Sequence, residues 1–518
     1  MDVRQGRNTA CGLDAAQLRS KIAAMNPAPK QFHRSPERAA GPLQSSRNSG
    51  CGGEEPAFRR SFRFTAQLCA WLMLCVSGFA VGAEQWRAGV AKVTITPGEP
   101  VWMAGYAART GPSDGALVDL HARALVLTAG AARLTIVTMD LIEIPDTLRE
   151  LLVEGLRSAH GIKPEELLLN VSHTHGGPMV SAKTVADWGL PAVWEKRAES
   201  YARELVTKVN EVVGRALSNA GPATLNYSHA RCGFAMNRRI STPGGFTLGL
   251  NPDGPVDHDV PLLRIESSEK KLIGLMFGYA CHNTALGPVR KLHGDYAGFA
   301  QRKLEADHPE TITLFLMGCG GDQDPQPRRH QEDAEQNGLA LASAVEAGLS
   351  TAPVQLGAML STSLEMCPVP FAPLAPRAEF AERAKSGDGF VSRHAQWVLK
   401  QWPNPEDQPA DYRLPVQVVV LGQKMTLVAL GGEPVVDYSL RLKRELAAEG
   451  RPVWVAGYAN LVSAYVPSRR VLQEGGYEGT QAVIYQSLPG PFHTDVEERI
   501  VASVHHQVNL LREKAKVR

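Results

Sequence analysis

Seven short apolar runs limit what this chain can fold into. LTIVTMD at 134–140, LLLNVS at 167–172, LIGLMFGYA at 272–280, ITLFLMG at 312–318, VQVVVLG at 416–422, MTLVALG at 425–431 and PVWVAGY at 452–458 all have strand length and most are rich in β-branched or aromatic residues. Amphipathic stretches separate several of them. From Trp194 to Leu217, residues Tyr201, Leu205, Val209 and Val212 recur on one helical face, and Gly221-Pro222 ends the pattern. Further helices are expected near 331–348, 437–448 and 495–514. Helix-linked strands mix with a hairpin over 416–431 that turns at Gly422 and Gln423. The order predicts a mixed α+β protein, a layered sandwich of mixed sheets covered by helices, rather than a doubly wound sheet. Residues 367–409, rich in Pro, Ala and charge, read as a surface excursion or lid.

Three segments divide the chain. Residues 1–58 carry Arg, Ser, Pro and Gly without apolar periodicity, which predicts a disordered stretch or a misassigned start. At 59–83, Arg59, Arg60 and Arg63 precede an apolar stretch from Leu68 to Val81 and small residues before Ala83, the order of a secretory signal peptide. The expected product is exported, periplasmic or secreted, after cleavage at Ala83 or with the segment kept as an N-terminal anchor. Residues 84–518 form the expected single large domain. Cys11, Cys51, Cys69 and Cys75 precede it, and Cys232, Cys281, Cys319 and Cys367 within it show no CxxC pair, so no cysteine-zinc knuckle or dense disulfide framework is indicated. With 55 Lys and Arg against 53 Asp and Glu, the net charge of +2 provides no broad basic field for nucleic acid. A small or neutral substrate is the expected partner, with no obligatory protein partner.

Several strands run directly into His, Asp or Glu beside glycine, and strand ends are where ligand sites assemble in α/β architectures. The first case is Ser172-His173-Thr174-His175-Gly176-Gly177-Pro178, where two histidines two apart on an extended chain would point to one side. That allows one to bind a metal and the other to meet a bound water. The second is Cys281-His282 after the strand at 272–280, followed by His293-Gly294-Asp295-Tyr296; the third is Gly320-Gly321-Asp322-Gln323-Asp324; the fourth is Gly431-Gly432-Glu433. Asp322 could equally cap a turn. His173, His282 and Glu433 together make a two-His, one-carboxylate set, a common catalytic zinc shell that leaves a position open for water. The absence of HExxH, of a P-loop and of GxSxG argues against a thermolysin-like protease, an ATPase and an α/β-hydrolase.

In order along the chain stand GVAKVTITPG at 89–98, MAGYAAR at 103–109, HARALVL at 121–127, SHTHGGP at 172–178, MNRR at 236–239, FGYACHNT at 277–284, GGDQDPQP at 320–327, GGEPVVDY at 431–438 and VAGYANLVSAYVPS at 455–468. This set resembles the neutral, non-lysosomal ceramidase family across nearly the whole mature chain. The resemblance implies one zinc ion held by His173, His282, Glu433 and a tyrosine, best matched by Tyr465 with Tyr458 as the alternative. His175 becomes the histidine near the attacking water, Arg238 the arginine beside the scissile carbonyl, with Arg239 one position away, and Asp322 the acid of the GD pair. It further implies hydrolysis of the N-acyl amide of ceramide or a related N-acyl lipid, at a membrane surface or in solution, with His175 or Asp322 moving the proton to the leaving amine. The residues alone specify only hydrolysis at a carbonyl, of an amide or an ester, or an inactive scaffold with the same fold.

Two departures qualify the resemblance. Where the family has GDVSPN, this chain has Asp324 at the serine position, which is expected to favour a substrate that presents a donor group. The family also carries an immunoglobulin-like C-terminal domain, and none is expected here.

Overall fold

Strands buried on both faces build two sheets that pack against each other through one shared core. The computed structural model describes residues 85–404, 407–447 and 450–517. The segments read as a disordered start and a signal peptide, with their four cysteines, lie outside the described residues. The first strands are β1 (Trp86–Thr94), β2 (His121–Ala129), β3 (Ala132–Met139), β4 (Leu167–Val171) and β5 (Gly221–Arg231). A hairpin of β6 (Ala235–Thr242) and β7 (Gly245–Asn251) precedes β8 (Asp259–Ser267), β9 (Leu272–Tyr279) and β10 (Ile312–Met317). The large sheet runs β10-β9-β8-β5-β1-β2-β3-β4 and is mixed, because β9/β10 and β3/β4 pair in parallel while the other neighbours are antiparallel. Short β11 (Gln323–Pro325) joins β6, and β12 (Val354–Leu356) joins β5.

The second sheet has β13 (Leu360–Pro370), β14 (Asp411–Leu421), β15 (Met425–Leu430) and, after the two-residue β16 (Glu433–Pro434), β17 (Val453–Ala456). All seven apolar runs of the sequence fall in strands. The expected hairpin turn is present: Gly422 and Gln423 both take left-handed φ, 62° and 58°, and β14 and β15 pair antiparallel.

Alternation decides which layer each side chain joins. On β15, Met425, Leu427 and Ala429 pack between the two sheets against Leu263, Met276 and Leu314. Val428 and Leu430 point the other way, toward Leu442 and Val504 of the helices Val436–Leu446 and Val496–Val517. On β9, Met276 enters the inter-sheet core, while Leu275 and Phe277 face the outer helices. Those helices include Ala192–Ser218, whose Tyr201, Leu205, Val209 and Val212 are all buried as the periodicity predicts. The layers therefore run helix, large sheet, small sheet, helix. Truncating Phe277 or Leu427, both fully buried, to alanine would cost about 2–5 kcal/mol.

Two helices beyond those expected from the sequence complete the outer layer. Asp146–His160 ends at a left-handed Gly161, and Asp295–Asp307 follows Gly294. The excursion expected at 367–409 leaves the small sheet between β13 and β14 and contains the helices Arg377–Arg383 and Gly389–Gln401, packed through Phe380, Ala395 and Val398. Cys232, Cys281, Cys319 and Cys367 are buried free thiols. Among the described residues no helix is long and apolar enough to cross a membrane.

Candidate metal centre and substrate cavity

Three strand ends deliver the site. β4 runs into Ser172 and His173, β9 into Cys281 and His282, and β15 into Gly431, Gly432 and Glu433. A short strand, β18 (Tyr465–Val466), pairs in parallel with β16 and sets Tyr465 opposite Glu433. Asn170 ties these pieces together from the middle of an apolar strand: its Oδ1 accepts the Met317 N–H at 2.9 Å and its Nδ2 donates to the Gly457 carbonyl at 2.8 Å. One amide thus joins the ends of β4, β10 and β17.

The His-Thr-His segment is not the extended chain that the sequence suggests. His173 has φ 57°, a left-handed conformation that costs a non-glycine residue energy and is held only where the surroundings impose it. Thr174 supplies that constraint, bridging to Asn283 and donating its hydroxyl to the His293 carbonyl at 2.8 Å. The imidazoles still meet, with His173 Nε2 and His175 Nε2 3.3 Å apart.

Donor atoms of five residues from four chain segments converge here. Glu433 Oε2 lies 3.2 Å from His173 Nε2 and 3.7 Å from His282 Nε2, and the Tyr465 hydroxyl lies 3.2 Å from His282 Nε2. His173, His175 and His282 form a group able to hold a metal ion, their ligand atoms within 4.8 Å of one another. The surroundings separate the three. His173 and His282 each donate Nδ1–H to a backbone carbonyl, Ile142 at 2.8 Å and Gly320 at 2.7 Å, which turns an Nε2 lone pair into the cluster. Metal-ligating histidines are oriented in this way. His175 Nδ1 has no partner, and its ring meets the Tyr106 ring edge-on at 4.8 Å.

Zinc fits this donor set. Ligand atoms at about 2.0–2.1 Å from a tetrahedral zinc stand about 3.3 Å apart, close to the spacings here. Glu433 Oε2 is buried without a hydrogen-bond partner, while Oε1 accepts from Gln486 Nε2 at 3.2 Å. An orphaned carboxylate oxygen facing imidazole lone pairs is suited to a shared cation. Burial holds His175 and His282 well below the usual histidine range, helped by His173 and Arg109 for the former and Arg238 for the latter. Burial and Glu433 hold the Tyr465 phenol well above its ordinary value. Tyr458 does not reach the donor atoms; its ring packs on His173 at 4.5 Å and its hydroxyl has no partner.

Arg238 lies behind the cluster rather than on the cavity wall. Its guanidinium donates to Glu478 Oε1 at 2.8 Å, Asp324 Oδ1 at 3.3 Å, the Gly321 carbonyl at 2.8 Å and the Tyr465 hydroxyl at 3.0 Å. Arg239 is bound to Glu474, Glu478 and the Gly475 carbonyl. Asp322 and Asp324 do not join the donor cluster. Asp322 accepts the Val436 N–H at 2.8 Å and Asn237 Nδ2 at 3.1 Å, so it caps the helix Val436–Leu446; burial pushes it up to about 7 against the pull of the Val436 N–H. Asp324 is held between Arg238 and Arg328, so the donor-selecting position expected for it is already filled by two cations.

The donor cluster opens on a cavity of about 770 Å³, walled by His173, His175, Glu433 and Tyr465 at one part and by Trp188, Trp397, Trp402 and Phe371 elsewhere. Trp397, Trp402 and Phe371 come from the excursion between β13 and β14. Sequence reasoning misses Gln486, which accepts the Tyr465 N–H at 3.0 Å while it holds Glu433; nothing in its local sequence marks it. It also misses Glu143, a wall carboxyl pushed up to about 7 by burial and by Glu433. Asn170 did leave a signal, a lone amide in the apolar run LLLNVS.

The family model described as neutral/alkaline non-lysosomal ceramidase, N-terminal, matches residues 86–367. That span holds His173, His175, Arg238, His282, Asp322 and Asp324 but not Glu433 or Tyr465. Among solved structures, a crystal structure of neutral ceramidase from Pseudomonas aeruginosa matches at 19% identity and TM-score 0.63, over 80% of this chain and 73% of that one. A structure described as ceramidase complexed with C2 matches at 20% identity and TM-score 0.63, over 80% and 74%. At these identities the likeness is one of fold. No curated protein sequence matches the chain.

Proposed function

From the premise that this chain belongs to the neutral/alkaline non-lysosomal ceramidase family, we propose that it is a zinc-dependent amidohydrolase that cleaves the N-acyl amide of ceramide or a related N-acyl lipid to fatty acid and amine. The observation that carries this reading is the meeting of His173, His282, Glu433 and Tyr465 donor atoms around an orphaned Glu433 oxygen at the foot of an aromatic-walled cavity. Those four residues would hold the zinc ion. Zinc bound there supplies Lewis-acid polarisation of the amide carbonyl and an activated water.

The chain's own residues supply the rest. His175 stands beside the cluster with Nε2 3.3 Å from His173 Nε2, which suits that nitrogen to take a proton from the attacking water and return it at the leaving nitrogen. Arg238 holds the Tyr465 hydroxyl in place and, through Glu478, Asp324 and Gly321, is itself fixed. Gln486 fixes which Glu433 oxygen faces the histidines. The tryptophan-lined wall excludes water from an acyl chain, whose burial is favourable by about 0.8 kcal/mol per methylene. Export is part of the proposal, on the charge, apolar and small-residue order at 59–83. Metal analysis of the purified protein and mass-spectrometric detection of fatty acid and free amine from a panel of N-acyl lipids and N-acyl amino acids test it. One zinc per chain with ceramide turnover is expected, and a metal-free protein inactive toward every amide would reject it.

A further inference from the structure

The cavity wall carries a carboxylate that this mechanism leaves without a task. Glu143 follows Ile142, whose carbonyl anchors His173 Nδ1 at 2.8 Å, so it stands one residue from the support of the donor cluster. Its side chain makes one long hydrogen bond, from Thr184 Oγ1 at 3.3 Å. The other acids of the wall are provided for. Asp187 pairs with Lys183 at 2.5 Å and accepts from Ser487 Oγ, Asp411 pairs with Arg413 at 3.0 Å, and Asp146 is exposed in the first turn of its helix. Lys183, the cation whose charge acts on Glu143 through space, is committed to Asp187 and lies 5.2 Å from the Trp397 ring centroid. The same wall includes Ile142 and Met179, whose side chains have no donor, and Trp188, whose Nε1–H is unpaired.

Glu143 is half-buried and lines the cavity with one long protein hydrogen bond, so its carboxylate keeps acceptor capacity for an incoming donor. We infer that Glu143 receives a hydrogen-bond donor on the amine half of the substrate and so selects amides whose amine carries a hydroxyl or an ammonium close to the scissile nitrogen. An acyl chain has no donor to give, so the contact orients the substrate with its amine half at Glu143 and its chain along the aromatic wall. The inference deepens the proposed function and rests on the cavity being the amide site.

Three matched substrates test it: the N-lauroyl amides of ethanolamine, of 1,2-diaminoethane and of propylamine, which present a hydroxyl, an ammonium and neither. For the unmodified, zinc-loaded protein, kcat/KM for at least one donor-bearing amide should exceed that for the propylamide by about 10–100-fold, the scale of a hydrogen bond to a charged group. Glu143→Leu should erase that ratio, and Glu143→Gln, which keeps an acceptor oxygen, should retain part of it, both with normal zinc content. Whichever amide loses more identifies the hydroxyl or the ammonium as the group recognised. The inference is overturned if Glu143→Leu keeps the ratio, if the unmodified protein has none, or if all three rates fall together with zinc in place, which would assign Glu143 to the chemical step. Should the unmodified protein hydrolyse none of them, the amide reading is decided by the ceramide and N-acyl lipid panel above, and the same ratios are read from calorimetric binding of the three amides.

Discussion

Two loops of this protein share one local pattern, a strand followed by two glycines and an acid, and the fold uses them oppositely. Gly431-Gly432-Glu433 leaves β15, and Gly320-Gly321-Asp322 follows β10. Glu433 keeps one oxygen free and turned to His173 and His282. Asp322 has both oxygens engaged, by the Val436 N–H and by Asn237. The loops also touch: the Gly321 N–H donates to the Pro434 carbonyl at 3.0 Å, and a Cβ on Gly321 would stand 2.7 Å from the Glu433 carbonyl. Asp322 therefore holds the helix that starts just beyond Glu433. The lesson is that an acid after a glycine pair is only available chemistry until its partners are counted, and that one such acid can be spent to position the other.

The largest expected effect breaks or upholds the comparison directly. Glu433→Ala and His173→Ala should each take hydrolysis below detection and lower zinc content, because an open shell cannot spare a protein ligand. Normal zinc in Glu433→Ala, by metal analysis, would place the metal elsewhere and end the contrast with Asp322. His175→Ala should keep zinc and lose about 10²–10⁴-fold in kcat, the usual contribution of a proton-handling group. A metal-free His175→Ala protein would instead make it a ligand.

Smaller effects sharpen the contrast. Gln486→Leu removes the donor that selects the Glu433 oxygen and should weaken zinc binding by about 10–100-fold in a chelator competition titration, with apo-protein melting little changed. Asp322→Ala should show the opposite signature. It strands two buried donors, costing about 1–3 kcal/mol of stability in denaturant unfolding, while the folded fraction still binds one zinc. If Asp322→Ala instead loses zinc at full stability, the two acids are not divided as described. The least change in selectivity is expected of Asp324→Ser, because Arg238 and Arg328 already occupy that carboxylate. The relative rates on hydroxylated and plain amides should stay within about threefold, well inside the preference a single charged hydrogen bond would set, and a larger shift would return Asp324 to the substrate.

Much of the fold was legible because its cause is local. Burial of β9, β14 and β15 on both faces is written in continuous apolar runs such as LIGLMFGYA and VQVVVLG, and the face of Ala192–Ser218 in the spacing of Tyr201, Leu205, Val209 and Val212. The helices Asp146–His160 and Asp295–Asp307 were not legible, although the first carries Leu148, Leu152 and Leu156 in helical spacing. Asp295–Asp307 buries Gly298, Ala300 and Gln301, residue types that announce no apolar stripe.

The sequence by itself determined which strand ends carry chemistry, because a polar residue directly after an apolar strand must emerge at the edge of a layer. Only the tertiary structure decided what each one does there. Asn170 and Gly457 are 287 positions apart, and their contact brings the Tyr465 segment under β4. That contact, with β16 pairing to β18, sets Tyr465 against Glu433 and packs the Tyr458 ring on His173, a difference in role that no local sequence feature carries. Likewise Glu433, Asp322, Asp324 and Glu143 are four acids of similar intrinsic chemistry. Whether such a group faces a metal, caps a helix, neutralises arginines or waits in a cavity wall depends on donors delivered by distant segments, since the energy of a buried carboxylate is set by what surrounds it.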